Sequence, residues 1–347
     1  MAIQISGSTV IDNSKNVIVG SGASVTTAKS FIKDGAIGLG TIGTSERNGL
    51  TTATGTLIYN IDETRVQVWD GSAWVDGFIT LQQLEATGGT IDDVTRPGYR
   101  VHTFTGDDTF TVTSNPPGTP GSIELFMIGG GGNGGGDRGG GGGAGGVYFN
   151  NEYAFTGTSP VSVTIGSGGD PGGATSFGPT SIGGGGRAGY RNSRTGAPGV
   201  SGGGAGAADS GGASGAAGTG DPGGTGDSVS PANGWGNNGG NGFNQTNGAG
   251  GGGGGGAAGN GNNGGPGSGG SGGGGLTYTI DGGSTARAGG GGGGGFSNPG
   301  PASAGGGAGT RYQGYGGAAG TPGTGGGGGG STGGSGILIV AYPYNPA

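Results

Sequence analysis

Side chains able to do covalent or acid–base chemistry are few in this chain, and none stands in a catalytic arrangement. His102 is the only histidine, and there is no cysteine. Nucleophilic catalysis needs a base within hydrogen-bond reach of the hydroxyl or thiol it activates. His102 sits instead in the alternating run Val101-His102-Thr103-Phe104 with no serine or cysteine beside it, and strand alternation assigns it to a polar strand face. The acid pairs Asp92-Asp93 and Asp107-Asp108 adjoin turn residues, where aspartate commonly bonds its local backbone. Glycoside cleavage needs two carboxylates across a sugar cleft. Spacing neither selects nor rules out a pair among Asp170, Asp209, Asp221, Asp227 and Asp281. Gly-x-Gly-x-x-Gly patterns recur as a by-product of composition, and none sits at a strand-to-helix junction followed by an acidic residue, the context a phosphate cradle requires. The calcium-binding pattern Gly-Gly-x-Gly-x-Asp is not in register at any aspartate of the glycine-rich region. These residues predict no enzyme, no cofactor and no metal site.

Composition removes further classes. Glycine contributes 109 of 347 residues and proline 16, without a strict Gly-X-Y period, which excludes a collagen triple helix. Only 10% of residues are charged and the formal net charge is −7, so no broad cationic surface exists to neutralise nucleic-acid phosphates. Arg138 and Arg187 stand singly among small residues, whereas RNA-binding glycine–arginine segments carry cations in series. No charged and apolar leader opens the sequence, and no apolar run approaches the roughly 20 residues that span a bilayer. The expectation is a protein neither exported through a leader nor inserted in a membrane. Without cysteine there is no disulfide staple, so order must come from backbone pairing, packing or oligomerisation.

Residues 129–336 are dominated by glycine, yet they begin and end in short apolar strands, Ser122-Ile123-Glu124-Leu125-Phe126-Met127-Ile128 and Ile337-Leu338-Ile339-Val340-Ala341-Tyr342. A disordered tail has no use for a closing strand. Fixing a residue costs roughly 1–2 kcal/mol, with glycine at the costly end, while a net amide hydrogen bond returns about 0.5–1.5 kcal/mol. The balance improves when extended left-handed helices of three residues per turn pack side by side. Chains without Cβ atoms approach closely, pair N–H with C=O between helices, and add Cα–H···O contacts. The expected body is therefore a bundle of polyglycine-II (PPII-like) helices over 129–336. Gly139 to Gly143, Gly251 to Gly256, Gly289 to Gly295 and Gly325 to Gly330 would be its central rods, because an inner rod carries no side chain on any face. The alternative is a flexible Gly/Ser linker. Against it stand interruptions able to turn or anchor the chain at 186–194, 229–238, 276–281 and 309–315, which spend aromatics in a way linkers rarely do. Pro160-Val161-Ser162-Val163-Thr164-Ile165 alternates as a half-buried strand, and Ala174-Thr175-Ser176-Phe177-Gly178 reads as another.

The first hundred residues are a different material. Ile3, Ile5 and Val10, then Val17-Ile18-Val19, suggest short strands, and no amphipathic helix of normal length is apparent, although Phe78 to Glu85 has room for one turn or two. Thr56 to Asn60, Arg65 to Trp69 and Ala73 to Val75 form a strand–turn–strand–turn–strand pattern with Asp70-Gly71 as a turn. So small a sheet is marginal alone and is expected to be completed by other copies or by a host structure. The predicted organisation is an all-β N-terminal region with almost no α-helix, then the glycine-rich domain bracketed by β-strands. Residues 1–50 form a strand-rich attachment segment, 51–98 a small hairpin module, and 99–347 the glycine-rich domain, with edge strands at 101–128 and 337–342 around the body at 129–336.

Thr44-Ser45-Glu46-Arg47 through Gly55-Thr56-Leu57-Ile58-Tyr59-Asn60, followed by Val66-Gln67-Val68-Trp69-Asp70-Gly71-Ser72-Ala73-Trp74-Val75, resembles a module of tail-fibre and other virion proteins of tailed bacteriophages, especially those of cyanobacteria. The opening Ile3-Gln4-Ile5-Ser6-Gly7-Ser8-Thr9-Val10-Ile11-Asp12 is similar to the start of such proteins. Val101 to Gly106, Thr109 to Val112, the strand and glycine run at Leu125 to Gly132, and the closing Gly334 to Pro343 resemble the glycine-rich domain of phage tail proteins, in which the first and last strands pair around the glycine body. The resemblance implies a virion surface protein, a small tail fibre or fibre-tip adhesin, contacting a bacterial polysaccharide or outer-membrane receptor. It also implies other virion proteins as partners and, since fibres are usually trimers, a homotrimer. A capsid decoration or head fibre without receptor binding is the other reading. An ice-binding protein would need regular small polar faces, which the irregular Thr and Ser spacing disfavours.

On a glycine scaffold, binding falls to the bulky groups that cannot fit between rods. Aromatic rings stack on sugar faces, and arginine offers a planar donor fork to carboxylates or phosphates. The candidates are Tyr190, Arg191, Arg194, Trp235, Phe243, Arg311, Tyr312 and Tyr315, with Trp235 expected to be exposed and Phe243 and Tyr315 expected to cap rods. Subunit or virion docking is assigned to Leu57, Tyr59, Val66, Val68, Trp69 and Trp74.

Overall fold

Alternation and turn residues set the N-terminal strands. The computed structural model describes residues 3–5, 8–11, 41–50, 53–76, 84–114, 122–155, 160–191, 195–208, 218–220, 235–314 and 316–344. The chain divides into two compact units, Met1–Leu81 and Gln82–Ala347. In the first, β1 (Ile3–Ile5) pairs antiparallel with β2 (Ser8–Ile11). Next come β3 (Thr41–Ile42), helix α1 (Thr44–Asn48), β4 (Leu57–Asn60), β5 (Arg65–Trp69) and β6 (Trp74–Asp76), whose strands form one sheet in the order β3-β4-β5-β6. The Asp70 carboxylate closes the last turn, accepting the N–H groups of Ser72 and Ala73, both at 2.7 Å, while Gly71 takes φ 106°. Because β3 and α1 belong to the same sheet unit as the hairpin, the expected boundary at 50/51 cuts through it. Val17-Ile18-Val19 and residues 78–83 lie outside the described residues.

The second unit starts earlier than the sequence reading placed it. Strands β7 (Glu85–Thr87) and β8 (Thr90–Asp92) pair with β10 (Asp108–Ser114) and β9 (Tyr99–Phe104), so they belong to the glycine-rich unit and not to the hairpin module. The remaining strands are β11 (Ser122–Ile128), β12 (Val147–Ala154), β13 (Val161–Thr164), β14 (Thr175–Phe177), β15 (Thr180–Ile182), β16 (Leu276–Tyr278), β17 (Thr285–Arg287) and β18 (Ile337–Pro343). They make two five-stranded sheets, β15-β14-β13-β10-β7 and β12-β11-β18-β9-β8, plus the hairpin β16–β17. The molecule is nearly all β; α1 is the only α-helix among the described residues.

The two apolar runs earn their continuity by being covered on both faces. Ile123, Leu125 and Met127 of β11 and Leu338, Val340 and Tyr342 of β18 enter one core with Phe104, Phe110, Val163 and Phe177, which lies between the sheets. Phe126, Ile128, Ile337, Ile339 and Ala341 enter a second core on the far face, with Ala144, Ala257, Leu276, Tyr278 and Ile280. The strands before and after the glycine body pair directly, from Ile128↔Ile337 to Glu124↔Ala341. The interruption at 276–281 is thus an anchor, pinning the body to the sheet through Leu276, Tyr278 and Ile280.

Beneath that sheet the glycine segments hydrogen-bond to one another with a period of three. In the stretch 138–146, the amides of Gly140, Gly143 and Gly146 donate to Gly189, Gly186 and Gly183, those of Gly141 and Ala144 to Gly252 and Gly255, and those of Gly142 and Gly145 to Gly328 and Gly325, all at 2.8–3.0 Å. Its carbonyls accept from three other segments: Arg138 and Gly141 from Ala207 and Gly204, Gly139 and Gly142 from Gly294 and Gly291, and Gly140, Gly143 and Gly146 from Gly135, Gly132 and Gly129. The stretch is ringed by six neighbours. The four runs picked out in the sequence touch, with Gly141 donating to Gly252 and Gly142 to Gly328, and with Gly254 donating to Gly291 and Gly291 to Gly142. A Cβ on Gly141 would lie on the carbonyl of Gly291 and the amide of Gly254, which is why this run tolerates no side chain.

Candidate functional site

The stretch 138–146 begins at a turn in which two non-glycine residues take left-handed backbone, Asp137 at φ 42° and Arg138 at φ 61°. Such conformations cost free energy and persist where surroundings hold them. Here the Asp137 carboxylate gathers three segments. It accepts Arg191 Nη1 at 3.0 Å and the Gln313 backbone N–H at 3.2 Å, and pairs with Arg138 Nε at 3.3 Å. Gln313 is itself left-handed, at φ 68°. Arg138 is buried, and its guanidinium lies 4.6 Å from the centre of the Tyr312 ring. Phe296 supports the same ring, with centroids 4.9 Å apart. Arg311 is fixed by a parallel bridge to Gly295.

Two of the eight predicted binding residues, Arg191 and Tyr312, therefore meet at the Asp137–Arg138 turn, and Tyr190 and Arg311 are their neighbours in the chain. Tyr190 and Tyr312 are 37% and 40% exposed, the Arg191 side chain 43%, and Arg311 is exposed. Partly exposed tyrosines and guanidinium groups can contact a partner's apolar surface and donate to an anion. Asp137, Arg138, Phe296 and Gln313 complete the cluster and were not among the predicted residues. The one signal for them is the charged pair Asp137-Arg138 set inside an otherwise uncharged glycine run.

The other predicted residues lie elsewhere. Trp235 is not exposed as expected. Its backbone bridges Val147 through N–H···O bonds of 2.8 and 3.2 Å, and its ring packs against the second core with Nε1 buried. Phe243 is half-buried and bridged to Gly250. Arg194 and Tyr315 fall outside the described residues.

The docking set divides between two faces of the small sheet. Register places Leu57 opposite Val68, Tyr59 opposite Val66 and Val68 opposite Val75, giving one apolar face on which Leu57 and Val75 are 51% and 40% exposed. Trp69 and Trp74 are opposite each other on the other face, edge to face at 5.7 Å. That face is closed by polar groups: Arg47 donates to Glu63 at 2.8 Å and to Gln67 at 2.7 Å, and buried Asn60 donates to Gln67 at 2.9 Å.

His102 is buried inside the sandwich, not on a polar face. Its Nδ1 lies 2.8 Å from the Gly88 carbonyl, so this nitrogen carries the proton, and its Nε2 accepts the Tyr342 hydroxyl at 3.0 Å. Burial holds its pKa below the ordinary value and pushes the Tyr342 phenol up. Both ring nitrogens are thus occupied by structural partners. Asp107 accepts the backbone amide of Ile165 and Asp108 those of Gly89 and Thr109; only the bond to Thr109 is the local one expected of a turn aspartate, and the other two tie distant segments together. Among the described residues no group of three His, Cys, Asp or Glu side chains is placed to hold a metal ion, and no helix is long and apolar enough to cross a membrane. Comparison with protein-family models, curated proteins and solved structures finds no match for the chain.

Proposed function

We propose that this chain is a structural virion protein of a tailed bacteriophage, a tail fibre or fibre-tip adhesin that binds the host surface through side chains carried on a glycine scaffold. The observation that carries the reading is the meeting of Arg191 and Tyr312 at the Asp137–Arg138 turn, with Tyr190 and Arg311 beside them in the chain, on a body whose packed glycines leave no room for a Cβ at positions such as Gly141. We read the body as polyglycine-II helices, because donors that rotate among neighbours every third residue suit a helix of three residues per turn without internal hydrogen bonds. Pairing of β11 with β18 around the body suits the glycine-rich phage domain that the sequence resembles. The partly exposed apolar face of Leu57, Tyr59, Val66 and Val68 suits docking to other virion proteins or to further copies in a trimer, since closed symmetry buries such a patch. The receptor in this reading is a bacterial surface polysaccharide or outer-membrane protein.

Cryo-EM or immunogold localisation on intact particles, with copy number from the same images, tests it. Label at the tail in low copy is the expected result. Label spread over the head in high copy would make the chain a capsid decoration and leave its exposed aromatics without a receptor.

A further inference from the structure

We infer that one flank of the glycine body is a self-association surface held shut by asparagine side chains, and that its occupant, once opened, is a glycine segment from a second copy of this chain. Asn-Gly pairs ordinarily mark tight turns. Four of them here lie along the hydrogen-bonded glycine segments instead, and none is in a turn. At Asn260-Gly261 the glycine amide donates to the Asn238 carbonyl at 2.9 Å, and Asn260 Oδ1 accepts the Asn238 amide at 3.0 Å. Three residues on, Gly264 donates to the Asn241 carbonyl and Asn263 Oδ1 accepts the Asn241 amide, both at 2.8 Å. Asn238-Gly239 grips the next segment in turn: Gly239 donates to the Gly218 carbonyl at 3.0 Å, and Asn238 Oδ1 accepts the Gly220 amide at 2.8 Å. Asn133-Gly134 repeats the device, with Gly134 donating to Ser331 at 2.9 Å and Asn133 Oδ1 accepting the Gly333 amide at 3.2 Å.

Inside the body an amide is met by a carbonyl of a neighbouring segment, as Gly141 is by Gly252 at 2.9 Å. On the flank, Asn238, Asn241, Asn260 and Asn263 are all exposed, and a side-chain amide oxygen takes the part of that carbonyl. The two acceptors are chemically alike, and the caps recur with the period of three that orders the body. A row of open backbone N–H groups is a template for another chain, as at the edge of a β-sheet. The partner that fits this row is a segment without Cβ atoms, which can approach as closely as the body's own segments do, and a chain with 109 glycines supplies it in every further copy. Asparagine fills the acceptor position without bringing the segment that would extend the array.

Sedimentation velocity of the purified full chain at rising concentration tests this. The Asn260→Gly/Asn263→Gly double variant should move from the wild-type mass to at least about twice that mass, with an unchanged circular dichroism spectrum. Asn260→Asp/Asn263→Asp keeps the acceptors and should sediment as wild type. So should Asn262→Gly, because exposed Asn262 spends its side chain on the Ser271 hydroxyl at 2.7 Å. In dilute solution, amide exchange read by NMR at Asn238 and Asn241 should be about tenfold faster in the glycine double variant than in wild type, the scale of one net hydrogen bond, and unchanged in the aspartate variant. A glycine double variant that keeps the wild-type mass, or association of either control, would overturn the inference. Wild-type amides at Asn238 and Asn241 that exchange like those of an unstructured peptide would overturn it without any variant.

Discussion

Gly141→Ala puts a methyl group into the hydrogen bond between the Gly254 amide and the Gly291 carbonyl, which measures 2.9 Å. Both groups are buried, and neither has water to turn to. Overpacking a close-packed interior costs about 1–3 kcal/mol, and leaving a buried amide or carbonyl unpaired costs about 1–3 kcal/mol more. Alanine recovers about 0.4–1 kcal/mol by restricting the unfolded chain. The expected net loss is roughly 3 kcal/mol, a large share of the ~5–15 kcal/mol that stabilises an ordinary domain. Gly265→Ala is the matched control, because a Cβ there meets nothing within 4 Å; it should be neutral or slightly stabilising. Urea denaturation of both variants, followed by circular dichroism and tryptophan fluorescence, reads the difference. If Gly141→Ala unfolds at the same urea concentration as Gly265→Ala, the glycine segments are not packed against one another and the reasoning fails.

Trp235→Ala should destabilise the fold by about 2 kcal/mol, below the about 3–5 kcal/mol of a fully buried tryptophan because Trp235 is half-buried, and should leave adsorption to host cells unchanged; weakened adsorption in a fully stable variant would contradict its place in the core. Stability should fall with acidification below about pH 6.5, since the folded pKa of His102 lies under that ordinary value and the unfolded chain therefore takes up the proton first. Asp93, whose pKa is lowered chiefly by its hydrogen bond from Arg100, adds a further loss only below about pH 4; a urea midpoint that is flat from about pH 8 to pH 5 would contradict the buried histidine. Val68→Lys, on the apolar face of the small sheet, should dissociate the proposed trimer to monomer in analytical ultracentrifugation with an unchanged circular dichroism spectrum, and an unchanged mass would remove that face from the interface.

Much of the fold was written in local patterns. Alternation at Val161, Val163 and Ile165 marked β13, the Asp70-Gly71 turn marked the β5–β6 connection, and the uninterrupted apolar runs marked β11 and β18. Alternation also carried a signal that went unused: Trp69 has the opposite parity to Val66 and Val68, so it had to face the other way. What stayed hidden depends on distant partners. His102 reads as a polar-face residue because alternation says which residues share a face and not what covers it; the cover is Phe110 and Tyr342. Trp235, set among asparagines and glycines, looks exposed until the distant strand β12 is brought against it. Strands β7 and β8 are short and polar, and only their pairing with β10 and β9 moves the unit boundary ahead of residue 98. The cluster at Asp137 is of the same kind. Its members are ordinary in sequence, and the return of each glycine segment to the same end of the body brings them together.

Hydrogen–deuterium exchange of the purified full chain tests the central claim, that the glycine-rich region is a hydrogen-bonded body able to hold a site in place. The amides of 140–146, 251–255 and 289–295 should exchange as slowly as those of β11, because each donates to a carbonyl of a neighbouring segment. Exchange of these glycines at the rate of an unstructured peptide, with β11 still protected, would contradict the account.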